Sequence, residues 1–169
     1  MKLNIIRMIL IIFLIGIFTT IFGFSNQNSE VSGGISKKVT EYIVKFFPSI
    51  EKNSEIKKQE IMNKLEKIIR KIAHFSIYTL VGLLLMGLMK TYKIKEIDQV
   101  GLSMIIGIIY ASTDEIHQAF IPGRSAQLTD VMLDSIGVLT GVFIVMLLLE
   151  IIRRIKKNRY NNIDIMHLK

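Results

Sequence analysis

The stretch ASTDEIHQAFIPGRSAQLTD, Ala111 to Asp130, gathers Asp114, Glu115, His117, Gln118, Arg124 and Asp130 between two apolar runs, GLSMIIGIIY before it and VMLDSIGVLTGVFIVMLLL after it. Adjacent acids such as Asp114 and Glu115 can divide general acid and base roles when their surroundings push their proton affinities apart, and Arg124 can grip a phosphate or carboxylate with its planar fork. His74 or His117 together with Asp114, Glu115 and Asp130 could ligate a divalent ion, although no HExxH or similar spacing is present. No nucleophile stands out, because neither Ser125 nor Thr129 has a base at a recognisable triad spacing. Plainer roles exist for each residue. Asp130 could cap a helix N-terminus, Pro122 and Gly123 could simply turn the chain, and a lone His74 could be a bonded core histidine. Arg124 could reach lipid phosphates or clamp Asp114, Glu115 or Asp130.

So much polarity must be held by its neighbours. The chain has 169 residues, 50% of them apolar, with a formal net charge of +8 and no cysteine. That apolar share favours a membrane class, and zero cysteine rules out disulfides and thiolate sites. Four runs approach the roughly 20 residues an apolar helix needs to cross a bilayer. These predict an all-α integral membrane four-helix bundle with spans at about 5–24, 72–89, 100–121 and 129–149. The chain forms a single domain over 1–169, without internal repeats. The first run is read as a retained anchor rather than a cleaved signal, being longer than the usual h-region and lacking a small-x-small site after it. The positive residues sit beside helix ends, as charges facing anionic lipid do, so the bilayer is the expected partner and nucleic acid is not.

Lys and Arg counts over whole segments are equal on the two sides, so the local flanks decide orientation. Lys2 and Arg7 precede the first span, Ser25 to Ser36 carries no positive residue, and Arg153, Arg154, Lys156, Lys157 and Arg159 follow the fourth. Both termini are therefore expected in the cytoplasm, with a basic tail at 150–169 and an external loop at 25–71. Arg70 and Lys71 on the outer side of helix two dissent. Within that loop Ile35, Val39, Tyr42, Ile43, Phe46 and Phe47 recur at helical spacing, predicting a short interfacial helix. After Pro48 a second amphipathic stretch carries Ile61, Leu65, Ile68, Ile69 and Ile72 into helix two, either to cap the bundle or to lie on the surface.

In this topology His74 near the start of helix two, Asp114 near the end of helix three and Asp134 near the start of helix four lie within roughly 10 Å of one membrane face, at 1.5 Å rise per residue. At 100° per residue His117, Asp114, Gln118 and Glu115 cover an arc of about 160°, leaving Ile105, Ile106, Ile109 and Ile116 as an apolar back. Asp130, Asp134, Gly137 and Gly141 fall within about 60° on helix four, and the glycine spacing is expected to press the aspartates toward helix three. Tyr78, one turn from His74, could complete the enclosure. The candidate catalytic or binding residues are therefore His74, Asp114, Glu115, Arg124 and Asp130, with Tyr78, His117, Gln118 and Asp134 expected to touch substrate. No cofactor is expected, although a divalent metal is compatible with the side chains.

RKIAHFSIYTLVG on helix two, followed by DEIHQAFIPGRSAQLTDVMLDSIGVLTG, resembles the VanZ-like family, and FSNQNSEVSGGIS looks like that family's serine-rich external segment. The resemblance covers Phe24 to Gly141. It implies a four-helix bacterial membrane protein whose namesake is associated with lowered susceptibility to the glycopeptide teicoplanin, a phenotype rather than a reaction. Its motif residues fall on His74, Asp114, Glu115, Gln118, Arg124, Asp130 and Asp134. Two functions are open at this point: binding or modification of a polar envelope component at the outer face, such as a lipid-linked cell-wall intermediate or a glycopeptide-related target, or a non-catalytic organiser of envelope machinery in which the polar cluster only locks the helices.

Overall fold

The computed structural model describes residues 2–26, 29–47, 50 and 54–167 and, of these, the side chains of 2–26, 34, 36–47, 50 and 54–159. Among the described residues it is all helical: α1 (Lys2–Ser25), α2 (Ser29–Lys45), α3 (Glu55–Met89), α4 (Glu96–Ala119) and α5 (Leu128–His167). The expected break at Pro48 and the side chain of Ile35 lie outside the described residues. Three helices, α1, α3 and α5, are long and apolar enough to cross a membrane. The stretch expected as the third span, 100–121, falls largely within α4, 24 residues long, which carries Glu96, Asp98, Asp114 and Glu115 toward its ends and is not among those three.

Two boundaries differ from the sequence expectation for one physical reason, the lack of a breaker. The amphipathic stretch and the second span form a single 35-residue helix, α3, because no proline interrupts Glu55–Met89. At 1.5 Å per residue α3 is roughly 50 Å long, so a bilayer core of about 30 Å leaves its N-terminal third outside. The segment 25–71 is thus largely helical rather than a loop. Likewise the basic tail continues α5 to His167, with Glu150 pairing to Arg153 and Arg154 one turn on. By contrast, α4 begins early, where Glu96 and Asp98 favour its positive end and Lys90 pairs with Glu96 at 2.6 Å. It stops before Pro122, and Gly123 supplies the turn with φ 78°.

The most extensive packing is between α3 and α5. A Cβ at Gly141 would stand 2.1 Å from the Thr79 carbonyl oxygen, and one at Gly82 would stand 2.1 Å from that of Val138. These two backbones touch because neither glycine has a side chain to keep them apart. The glycine stripe of α5 therefore meets helix two, not helix three as expected. Since Gly137 faces Phe75 and Tyr78, the same crossing sets Asp134 against His74 one turn earlier. Tyr78, Val81, Met86, Ala111, Val138 and Val142 fill the core between α3, α4 and α5.

α1 lies on the outside of this trio. It is tied by Tyr110, whose hydroxyl donates to the Phe18 carbonyl at 2.6 Å while the two rings stack, and by Arg7, which donates to the Thr91 carbonyl at 2.6 Å. α2 packs on α3 through Thr40 and Val44, leaving Val39, Tyr42 and Phe46 exposed, the last to 80%. That apolar face is what a helix lying on a lipid surface would present.

Candidate functional site

The end of the bundle opposite Arg7 collects the polar residues. Asp114 and Gln118 on α4 and Asp134 on α5 turn inward and are buried, as is Glu115, while Ile105, Ile106, Ile109 and Ile116 face outward. The apolar back and polar arc of α4 are arranged as the helical period requires. One imidazole nitrogen of His74 and one oxygen each from Asp114 and Asp134 lie within 4.8 Å of one another.

The cluster divides into a satisfied half and an unsatisfied half. Asp114 is the hub of the first. It accepts a short hydrogen bond from the Ser25 hydroxyl, one from the Tyr78 hydroxyl at 3.2 Å and one from the Gln118 amide at 3.1 Å, and that amide also reaches Ser25. This network joins α1, α3 and α4, so Tyr78 and Gln118 hold Asp114 in place. Glu115 accepts the backbone N–H of Gln127 at 2.7 Å, pinning the connection that leads into α5. It makes no ion pair with Arg124 among the described residues.

The second half is different. Asp134 is 1% exposed, yet neither carboxylate oxygen finds a hydrogen-bond partner among the described residues, and the His74 Nδ1 stands 3.7 Å from it. In a membrane-depth site an unmet carboxylate is expensive. Arg124 does not clamp an acid either. It donates to the Phe24 carbonyl at 3.2 Å, and its Nε, like that of Arg70, is buried without a partner among the described residues. Burial, and next the like charge of Arg70, hold the Arg124 guanidinium below its ordinary proton affinity.

Two other candidate residues have partners of their own. Asp130 does not cap α5 but pairs with Lys71 at 2.6 Å, while the Gln127 carbonyl accepts the first N–H groups of the helix. His117 stacks on Phe22 of α1, with ring centroids 4.7 Å apart, so its ring belongs to the α1–α4 contact, and its Nε2 is buried without a hydrogen-bond partner among the described residues. Sequence reasoning also missed three residues. In the sequence Ser25 marks the start of a segment without positive charge and belongs to the serine-rich stretch, with no role in the site, and Arg70 and Lys71 are topology signals. Their signal was position: one turn of helix separates Arg70 and Lys71 from His74.

A polar cavity of about 290 Å³ is lined by Arg70, Lys71, His74, Glu115, Arg124, Asp130 and Asp134, among others. Beside it lies a second cavity of about 320 Å³, lined mainly by apolar groups from Ile21, Phe24, Val39, Ile69, Ala73 and Ile77. Arg70, His74 and Arg124 border both. A polar cavity and a mainly apolar one thus meet at two arginines and a histidine.

A family model described as VanZ/LLP1 matches residues 10–149. No curated protein and no solved structure matches the chain.

Proposed function

Since the chain belongs to the VanZ/LLP1 family, we propose that it is a multi-pass membrane protein with four spans, α4 being the third of them, and that its polar site takes a lipid-linked envelope component by an anionic headgroup. The observation that carries this reading is the pair Arg70 and Arg124, each with a buried Nε lacking a partner among the described residues, at the junction of a polar and an apolar cavity. Arg70 and Arg124 line the same cavities, and their like charges raise the energy of the protein alone. A phosphate between them would offset that repulsion through charge-assisted, bidentate hydrogen bonds. The adjoining groove would take the first part of an alkyl or isoprenyl chain, and the envelope setting follows from the expected outward orientation of this end. Lowered teicoplanin susceptibility would then result from altered handling of a lipid-linked wall precursor.

Binding of a long-chain alkyl phosphate to the purified protein in detergent tests the reading against the same chain ending in a hydroxyl. The phosphate should bind saturably and at least about 10-fold more tightly, the minimum for one added charged hydrogen-bond set. Equal binding of the two, or no saturable binding, would remove the headgroup site. The alternative, an organiser in which the cluster only locks helices, is supported by the Asp114 network, which is complete without a ligand.

Orientation has its own check. Cysteine at Lys38, exposed on α2, should react in intact cells with an impermeant thiol reagent, and cysteine at Lys93, exposed in the α3–α4 connection, should react only after the cells are opened. The reverse pattern would place the cavity on the cytoplasmic side and exclude an external wall precursor.

A further inference from the structure

We propose that His74, Asp114 and Asp134 hold one divalent transition-metal cation such as Zn²⁺ or Mn²⁺. Three observations meet here. First, three potential ligand atoms from three different helices converge within 4.8 Å. Second, both oxygens of Asp134 are buried and without a hydrogen-bond partner among the described residues, although the side chain is only 1% exposed. Third, His74 Nδ1 and Asp134 Oδ2 stand 3.7 Å apart, too far for a hydrogen bond. Two ligands on one tetrahedral ion, at bond lengths near 2.1 Å, stand about 3.4 Å apart. The gap is therefore close to the one an ion would set.

Asp114 fits the same role from the opposite side. Each oxygen of a carboxylate has two lone pairs, and its bonds from Ser25, Tyr78 and Gln118 leave capacity for a metal while fixing the direction of the group. Ligating carboxylates are held this way by surrounding donors in established metal sites. One imidazole and two carboxylates are a donor set for first-row divalent ions rather than for Ca²⁺, which takes six to eight oxygens, or Mg²⁺, which keeps most of its waters. Three protein ligands leave at least one coordination position open, and His74 and Asp134 border the polar cavity, so that position faces it. Its use by a headgroup phosphate oxygen rests on the proposed function. Metal binding itself does not.

The test is a calorimetric titration of the full chain in detergent, stripped with a chelator and desalted, using Zn²⁺ or Mn²⁺ alone and no lipid. One ion per chain should bind, and the melting temperature should rise with it. Asp134→Asn should weaken binding by about 100-fold or more, whereas Glu60→Gln, at an exposed surface pair with Lys64, should bind like the parent. Stripped Asp134→Asn should melt at or above the stripped parent, because the substitution keeps the shape and removes the unmet charge. If that variant does not fold, His74→Ala, at the cavity wall, carries the same expected loss. Absence of stoichiometric binding by the parent, or undiminished binding by the ligand variants, overturns the site and assigns the Asp134 charge to a proton shared with His74. Because no lipid is present, failure here leaves the alkyl phosphate result standing, and failure of that result leaves this one standing.

Discussion

A Gly141→Leu variant should not be recovered as a folded species in detergent, whereas Gly101→Leu should melt close to the parent. The two glycines differ in what a side chain would meet. At Gly141 a Cβ alone would lie 2.1 Å from the Thr79 carbonyl oxygen and 2.6 Å from the Leu83 nitrogen, both backbone atoms, while at Gly101 nothing lies within 4 Å. Backbone cannot swing aside as a side chain can, so α3 and α5 would have to separate by several ångströms. Overpacking in ordinary cores costs about 1 to 3 kcal/mol. Here the whole crossing opens, which takes the loss to at least the upper end of that range and against a marginal total stability is close to unfolding. The effect reaches the site as well, since Asp134 lies on the same stripe and would be carried away from His74. A milder Gly137→Leu, whose Cβ would meet the Phe75 carbonyl at 2.8 Å, should lower the melting temperature and still yield protein. Normal stability of Gly141→Leu in thermal melts would mean that α3 and α5 do not cross at this point.

That crossing also shows where sequence reasoning stopped. The spacing of Gly137 and Gly141 and their alignment with Asp130 and Asp134 are properties of one helix, fixed by its period, and they were legible. Which neighbour the stripe meets is a property of the bundle, and chain order suggested helix three where the packing chose helix two. The common depth of His74, Asp114 and Asp134 was legible because rise per residue and an alternating topology determine it. The direction of each side chain was not. Hence His117, on the same arc as Asp114, stacks on Phe22, and Arg124, among several acids, donates to the Phe24 carbonyl instead. Arg70 and Lys71 show the same limit from the other side: a charge count reads them as flanks of a span, and only the geometry of α3 turns them into the cavity wall. Ser25 carried almost no signal, being one hydroxyl at the end of an apolar helix. Its importance arises from Asp114 on a distant helix, 89 positions away.

Arg124→Gln should weaken binding of the alkyl phosphate by about 30-fold or more, roughly 2 kcal/mol for a lost charge-assisted fork, without lowering the melting temperature of the ligand-free protein. The two halves of this outcome come from the same geometry. In the free protein Arg124 makes one hydrogen bond to the Phe24 carbonyl, has its Nε buried without a partner among the described residues, and lines the same cavity as Arg70. Glutamine can still donate to that carbonyl, and removing the charge removes the burial cost and the repulsion from Arg70, which outrank the attraction of Asp114 and Glu115, so folding loses little. The same argument applied to Asp114 gives the reverse, because three donors depend on it and truncation would leave them unmet. If the polar cluster existed only to lock the helices, Arg124 would behave as Asp114 does: the glutamine variant would melt lower, and any phosphate affinity would fall only in proportion to the unfolded fraction. Measuring melting temperature and affinity on one preparation separates the cases. Stable protein with lost affinity identifies a residue kept for its ligand. Unstable protein with retained affinity per folded molecule makes Arg124 a brace and leaves the paired cavities without their anion.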